Sequence, residues 1–165
     1  MTHHTARQKR IRFLLIFFMF ALVLSGLTAI PLRWELKVMM PLVKLGTQWG
    51  IIFPAMVQWI EKIDQGIQNG YGQYPFLAYG TDWLAFGHIA IAIAFIGPLR
   101  DPVRNVWVVE FGMIACALIV PWALIFGAIR DIPFFWQIID MSFGIFGIIP
   151  LWVVYKDILA ISDKL

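Results

Sequence analysis

The ionisable side chains within apolar segments are the residues of this 165-residue chain that could carry chemistry. His88, Asp140 and Glu110 each lie inside a long apolar run. An ionisable group at membrane depth is costly and usually faces a partner or a cavity. An imidazole beside a carboxylate can exchange protons near neutral pH, and it can also hold a polar head group. We therefore expect any functional site to include one or more of these residues.

His88 and Asp140 are expected at similar depths in the membrane. A rise of 1.5 Å per residue puts His88 roughly 8–9 Å, and Asp140 roughly 10–11 Å, from the outer ends of their spans. Gln137 shares a stripe with Asp140, and the stripe continues through Gly144 and Gly147, which permit close helix contact. We therefore predict a polar pocket in the outer half of the membrane. Its predicted ligand-binding residues are His88, Asp140, Gln137, Asp82, Trp83 and Trp136.

The span that contains His88 carries two neighbouring stripes. One is a predicted close-packing seam of small residues at helical spacing, namely Gly87, Ala90, Ala94 and Gly97. The other stripe combines His88 with Ala85, Ala92 and Phe95. This arrangement would let His88 flank the seam and reach inward.

Three interpretations of the polar pocket stay open. In the first, it binds a lipophilic or amphiphilic ligand, or a membrane partner. In the second, His88 and Asp140 only join two helices of a structural or accessory subunit in a larger membrane complex. In the third, they serve as acid and base of a membrane-embedded enzyme that acts on a lipid-soluble substrate. We assign no catalytic residue, and the sequence leans against an enzyme.

Glu110 is predicted near the cytoplasmic end of its span. Arg100 and Arg104 lie just across the preceding short turn, so we expect the three side chains to form a charge cluster at the membrane edge. The sequence holds no motif typical of a metal site or a phosphate-binding loop. A haem with two histidine ligands would need a second intramembrane histidine besides His88. We therefore predict no metal and no cofactor.

The composition places the chain in a membrane. Hydrophobic residues make up 61% of it and charged residues only 14%, with a mean hydropathy of +0.79, whereas soluble chains are about 45–50% apolar and about 25% charged. The net charge of +3 does not indicate nucleic acid, because the basic residues crowd the ends of apolar segments. The expected partner is the lipid bilayer, and a membrane-protein partner or a homo-oligomer stays open.

The predicted fold class is all-α, a polytopic membrane protein whose four transmembrane helices form a bundle within a single membrane domain. The spans are expected at residues 11–30, 83–99, 106–129 and 133–155, between cytoplasmic tails at 1–10 and 156–165. Residues 31–80 are expected to form an extracytoplasmic amphipathic helical segment, because charged residues are spread among apolar ones and tryptophan favours the membrane interface.

An alternative makes residues 38–60 a fifth span that contains Lys44. With four spans the basic residues concentrate on one side of the membrane, which is then the cytoplasmic side. With five spans that bias disappears. We therefore expect four spans and cytoplasmic N- and C-termini.

Three stretches of the chain carry a resemblance to known sequences: YGTDWLAFGH at 79–88, GPLRDPVR at 97–104 and IDMSFGIFG at 139–147. They resemble small integral membrane proteins of bacterial genomes with four predicted transmembrane helices, and the similarity covers the last three helices best. The resemblance implies a multi-pass protein of the bacterial inner membrane. It adds no catalytic residue.

Overall fold

The predicted fold class is confirmed, since the chain is all-α. The computed structural model describes residues 2–44 and 46–163. It is 88% helical, so the core is built by helix packing. The helices are α1 (Thr2–Thr28), α2 (Leu32–Val43), α3 (Gln48–Ile52), α4 (Pro54–Gln73), a 3-10 turn (Pro75–Leu77), α5 (Ala78–Ala94), α6 (Ile96–Arg100), α7 (Val106–Ile129) and α8 (Phe134–Ser162).

Among the described residues, four helical segments are long and apolar enough to cross a membrane, which is the predicted number. They are Ala6–Thr28, Pro75–Arg100, Val106–Ile129 and Phe134–Ser162. The third has the predicted bounds. The second begins before residue 83, because the 3-10 turn leads directly into α5. The fourth continues beyond residue 155, because neither glycine nor proline occurs between Tyr155 and Ser162.

Within the described residues of 38–60 no single helix is long enough to be a fifth span, because the chain breaks twice there. Gly46 has φ +94°, a left-handed conformation that glycine adopts without steric cost. Thr47 then caps α3, its hydroxyl oxygen accepting from the Gly50 backbone N–H at 3.3 Å. The second break precedes Pro54, which starts α4 where no backbone donor is needed.

The chain forms two compact units. The first comprises residues up to Leu22 and from Ile91 onward. In it α1, α7 and α8 enclose the main apolar core together with the start of α6. The fully buried residues of this core include Ile11, Leu15, Phe95, Val109, Leu151, Val154 and Ile158.

Two glycines let α8 approach α7 closely. A Cβ added at Gly144 would collide with the backbone carbonyl oxygen of Cys116, and one at Gly147 would lie 2.9 Å from the Cys116 Sγ. These glycines belong to the stripe predicted to run from Gln137 through Asp140. The glycine part of that stripe therefore faces the neighbouring helix, as predicted.

The second unit, Val23–Ala90, contains the amphipathic segment. Its helices α2 and α4 pack against each other, with Leu36, Val57 and Ile60 buried. On the polar edge of this pair, Gln68 donates from Nε2 to the Asp64 carboxylate at 3.1 Å. The amphipathic segment is therefore built of helices that pack on each other.

The packed stripe of α5 contains His88 and not Gly87. A Cβ added at Gly26 of α1 would lie 2.6 Å from the His88 Cβ, whereas one at Gly87 would meet no described atom within 4 Å. Ala90 and Ala94 are exposed. Among the described residues nothing packs against Gly87, so the close-packing seam through these small residues of α5 stays a prediction. At this crossing α1 supplies the small residue, so α5 can place a larger side chain there.

Candidate functional site

A groove of about 560 Å³ follows α7 and the start of α8 within the first unit. Apolar side chains form most of its wall, and the rings of Trp122 and Phe126 lie there with their centroids 4.6 Å apart. The charged residues of the lining are Arg130 and Asp140. The groove therefore combines an apolar wall with one cation and one anion.

Both charges lie in the part of the groove next to the α7–α8 turn. Arg130 directly follows the last residue of α7, and Asp140 lies in the second turn of α8, about 9 Å along the helix axis. The lining continues along α7 to Ala115, about 22 Å from Arg130. Within the described chain, Arg130 and Asp140 form no ion pair at 4.0 Å or less. Their opposite charges thus face one groove without neutralising each other directly.

Gln137 holds the α7–α8 turn and is absent from the lining of the groove. Its side chain is buried, and Nε2 donates to the carbonyl oxygen of Ile132 at 2.7 Å. The Ile132 N–H in turn donates to the carbonyl of Gly127 at 2.9 Å. A Cβ at Gly127 would lie 2.7 Å from the Gln137 Nε2, so only glycine leaves room for the amide. Gln137 therefore positions the turn that carries Arg130.

His88 lies in the second unit and has one resolved polar contact. Its Nδ1 lies 2.8 Å from the carbonyl oxygen of Leu84, one turn earlier on α5. Because a carbonyl oxygen only accepts, Nδ1 carries the hydrogen in this contact. The predicted pairing of His88 with Asp140 stays a prediction.

The remaining predicted pocket residues lie at the starts of two spans. Asp82 and Trp83 are exposed on α5, and the Trp83 ring makes edge contacts with Tyr79 and Phe86. Trp136 is half-buried in the first turn of α8. Interfacial tryptophans commonly occupy such positions. Their role in ligand binding stays a prediction.

Glu110 is half-buried in the second turn of α7. In the described part of the chain it forms no ion pair within 4.0 Å with Arg100 or Arg104. Arg104 instead donates its backbone N–H to the carboxylate of Asp101 at 3.1 Å, within the turn between α6 and α7. The predicted charge cluster stays a prediction.

The strongest ion pair in the first unit involves Asp157, which the sequence reasoning missed. Arg10 donates from Nε and Nη2 to the two carboxylate oxygens of the buried Asp157, at 2.6 and 2.5 Å. Arg7 adds a hydrogen bond to the carbonyl oxygen of Ala160 at 3.3 Å. This bidentate geometry ties the start of α1 to the end of α8. The sequence did offer a signal for this pair. An acidic residue lies near the end of the last span, and basic residues lie at the start of the first span.

No protein-family model matches the chain, and no curated protein or solved structure is significantly similar to it. Of the properties implied by the resemblance to small bacterial membrane proteins, the four candidate membrane-spanning helices are the one that is supported. Among the described residues, no group of three or more His, Cys, Asp or Glu side chains could hold a metal ion.

Proposed function

We propose that this integral membrane protein binds an amphiphilic, lipid-like ligand in the groove of α7 and α8. The ligand's polar head group would lie at Arg130 and Asp140, and its apolar chain along the wall toward Ala115. One observation carries the proposal. A single groove presents a long apolar wall together with two opposite charges that do not pair with each other.

The dimensions of the groove favour a ligand that bears a long chain. A lining about 22 Å long exceeds half of the roughly 30 Å hydrocarbon core of a bilayer. The volume of about 560 Å³ falls within the range of roughly 300–1,000 Å³ that is usual for small-molecule sites. The rings of Trp122 and Phe126 offer broad apolar surfaces against which a chain can pack.

The charges of the groove favour a polar head group. The guanidinium of Arg130 can donate two parallel hydrogen bonds to a phosphate or carboxylate. The carboxylate of Asp140 can accept from an ammonium or hydroxyl group. An ionisable residue inside a span usually has a partner, and a bound head group would supply one to Asp140.

We also propose that the protein lies in the bacterial inner membrane with both termini in the cytoplasm. An even number of spans returns the chain to the side on which it began. The contact of Arg10 with Asp157 supports this arrangement, because it joins the start of the first span to the end of the last. The basic residues before the first span favour the cytoplasm for that side.

Native mass spectrometry of the full-length protein released from dodecylmaltoside micelles tests the groove. The probe is added phosphatidylethanolamine, and we expect wild type to retain one molecule. Ala123→Phe places a ring in the groove and should weaken retention about tenfold, which corresponds to about 1.4 kcal/mol. Ala117→Phe is the matched control, because Ala117 is exposed on the same helix outside the groove.

Equal retention by wild type and Ala123→Phe would overturn the proposal. A stoichiometric protein chain that copurifies in place of lipid, and is lost from Ala123→Phe, would also overturn it. That result would instead favour the accessory-subunit interpretation.

A further inference from the structure

The amphipathic helix α2 has a basic face beside its packed face. Leu36 is buried and marks the side of α2 that packs on α4. With about 100° between successive residues, Arg33, Lys37 and Lys44 fall within roughly 40° of one another on the adjoining face. All three side chains are exposed. Two cations of α2 and a third at its C-cap, Lys44, are therefore aligned along one side of the helix.

A third face of α2 is apolar and exposed. Trp34, Val38 and Leu42 recur at intervals of four residues and are 64%, 50% and 67% exposed. Trp49 of the following helix α3 and its C-cap Phe53 are also exposed, and their rings stack with centroids 5.9 Å apart. Around the helix, the basic face thus lies between the packed face and this apolar face. This order suits a helix that immerses one side in lipid and keeps cations at head-group level.

Two of the cations share a cavity. Lys37 and Lys44 line a space of about 480 Å³ together with Asp64 and Gln68. Asp64 accepts a hydrogen bond from the Gln68 side chain at 3.1 Å. Within the described residues, neither lysine forms an ion pair at 4.0 Å or less. Because two ammonium groups and one carboxylate line the cavity, its net charge is positive.

We propose that this side of α2 binds an anionic phospholipid of the membrane surface. The phosphodiester lies between Lys37 and Lys44, and Trp34, Val38 and Leu42 enter the acyl region beside it. The complementary charge of the lipid phosphate and the adjoining exposed apolar stripe together select a lipid over a soluble anion. This site belongs to the second unit and is independent of the groove in the first, so either proposal can fail without the other.

Hydrogen exchange of the full-length protein in lipid nanodiscs tests this site. One set of discs contains phosphatidylcholine alone, and the other contains phosphatidylcholine with phosphatidylglycerol at 7:3. Each lysine near an anionic surface strengthens binding about fivefold. We therefore expect amides of residues 32–43 to exchange at least about fivefold more slowly in the anionic discs.

The double variant Lys37→Gln/Lys44→Gln should lose this dependence on phosphatidylglycerol. Lys62→Gln, on α4, removes one positive charge from a residue outside the cavity and should behave as wild type. In a second comparison, Trp34→Gln/Val38→Gln should speed exchange in both kinds of disc, because the apolar stripe no longer favours the acyl region.

Equal exchange of residues 32–43 in the two kinds of disc would overturn the proposal. The proposal would also be overturned if exchange in Lys37→Gln/Lys44→Gln still depended on phosphatidylglycerol. Lys62→Gln reports whether the loss of any one positive charge changes the exchange. Inorganic phosphate added to phosphatidylcholine discs should leave exchange unchanged. If it slowed exchange as much as phosphatidylglycerol does, the face would be a site for free anions and not a lipid-docking surface.

Discussion

Replacement of Gly144 by alanine should weaken the packing of α7 and α8. An ideal Cβ at this position would overlap the carbonyl oxygen of Cys116 and lie 3.2 Å from the Cβ of Ile119. The first obstacle is backbone, so a change of rotamer cannot relieve it. The two helices must move apart, and the contacts that bury Cys116 between them must loosen.

The expected loss follows from two opposing terms. Overpacking a tight contact costs about 1–3 kcal/mol, and alanine in a helix interior regains about 0.5–1 kcal/mol relative to glycine. Because the collision at Gly144 is with backbone, we expect a net loss of about 1–2 kcal/mol in the free energy of unfolding. Gly87→Ala is the matched control. Its Cβ meets no described atom within 4 Å, so it should stabilise by about 0.5–1 kcal/mol.

Unfolding in dodecylmaltoside micelles with increasing mole fractions of sodium dodecyl sulfate measures both variants. Helical circular dichroism reports the transition, and the midpoints should move in opposite directions. The reasoning would be refuted if Gly144→Ala were as stable as wild type. A destabilised Gly87→Ala would equally show that the open space beside α5 is not open in the folded protein.

Two further predictions concern the α7–α8 turn and the topology. Gln137→Leu leaves the partly buried carbonyl of Ile132 without its donor, so the same unfolding assay should show a loss of about 0.5–1.5 kcal/mol. Gln73→Leu, exposed at the end of α4, should change little, and equal stability of both variants would contradict this role of Gln137. Green fluorescent protein fused to the C-terminus should fluoresce, and alkaline phosphatase inserted at Gly66 should be active. The opposite pattern would place the termini outside the cytoplasm.

Local properties of the chain were sufficient to predict the spans. Hydropathy and helix length are properties of consecutive residues, so the third span, Val106–Ile129, was predicted with its bounds. The spacing of Gly144 and Gly147 on one stripe likewise indicated a packed face, because helical periodicity is local. The breaks at Gly46 and Pro54 explain why residues 38–60 form separate helices.

Contacts between distant segments were decided only by the tertiary structure. Arg10 and Asp157 are 147 residues apart, and their pairing depends on the rotation of α1 and α8 about their own axes. The same holds for Gly26 opposite His88, a contact that the spacing of neither residue indicated. Asp140 was identified from its position inside an apolar run, its depth and its stripe, but Arg130, which lines the same groove, was not. Periodicity states which residues share a face of a helix, whereas helix rotation and crossing decide what that face meets.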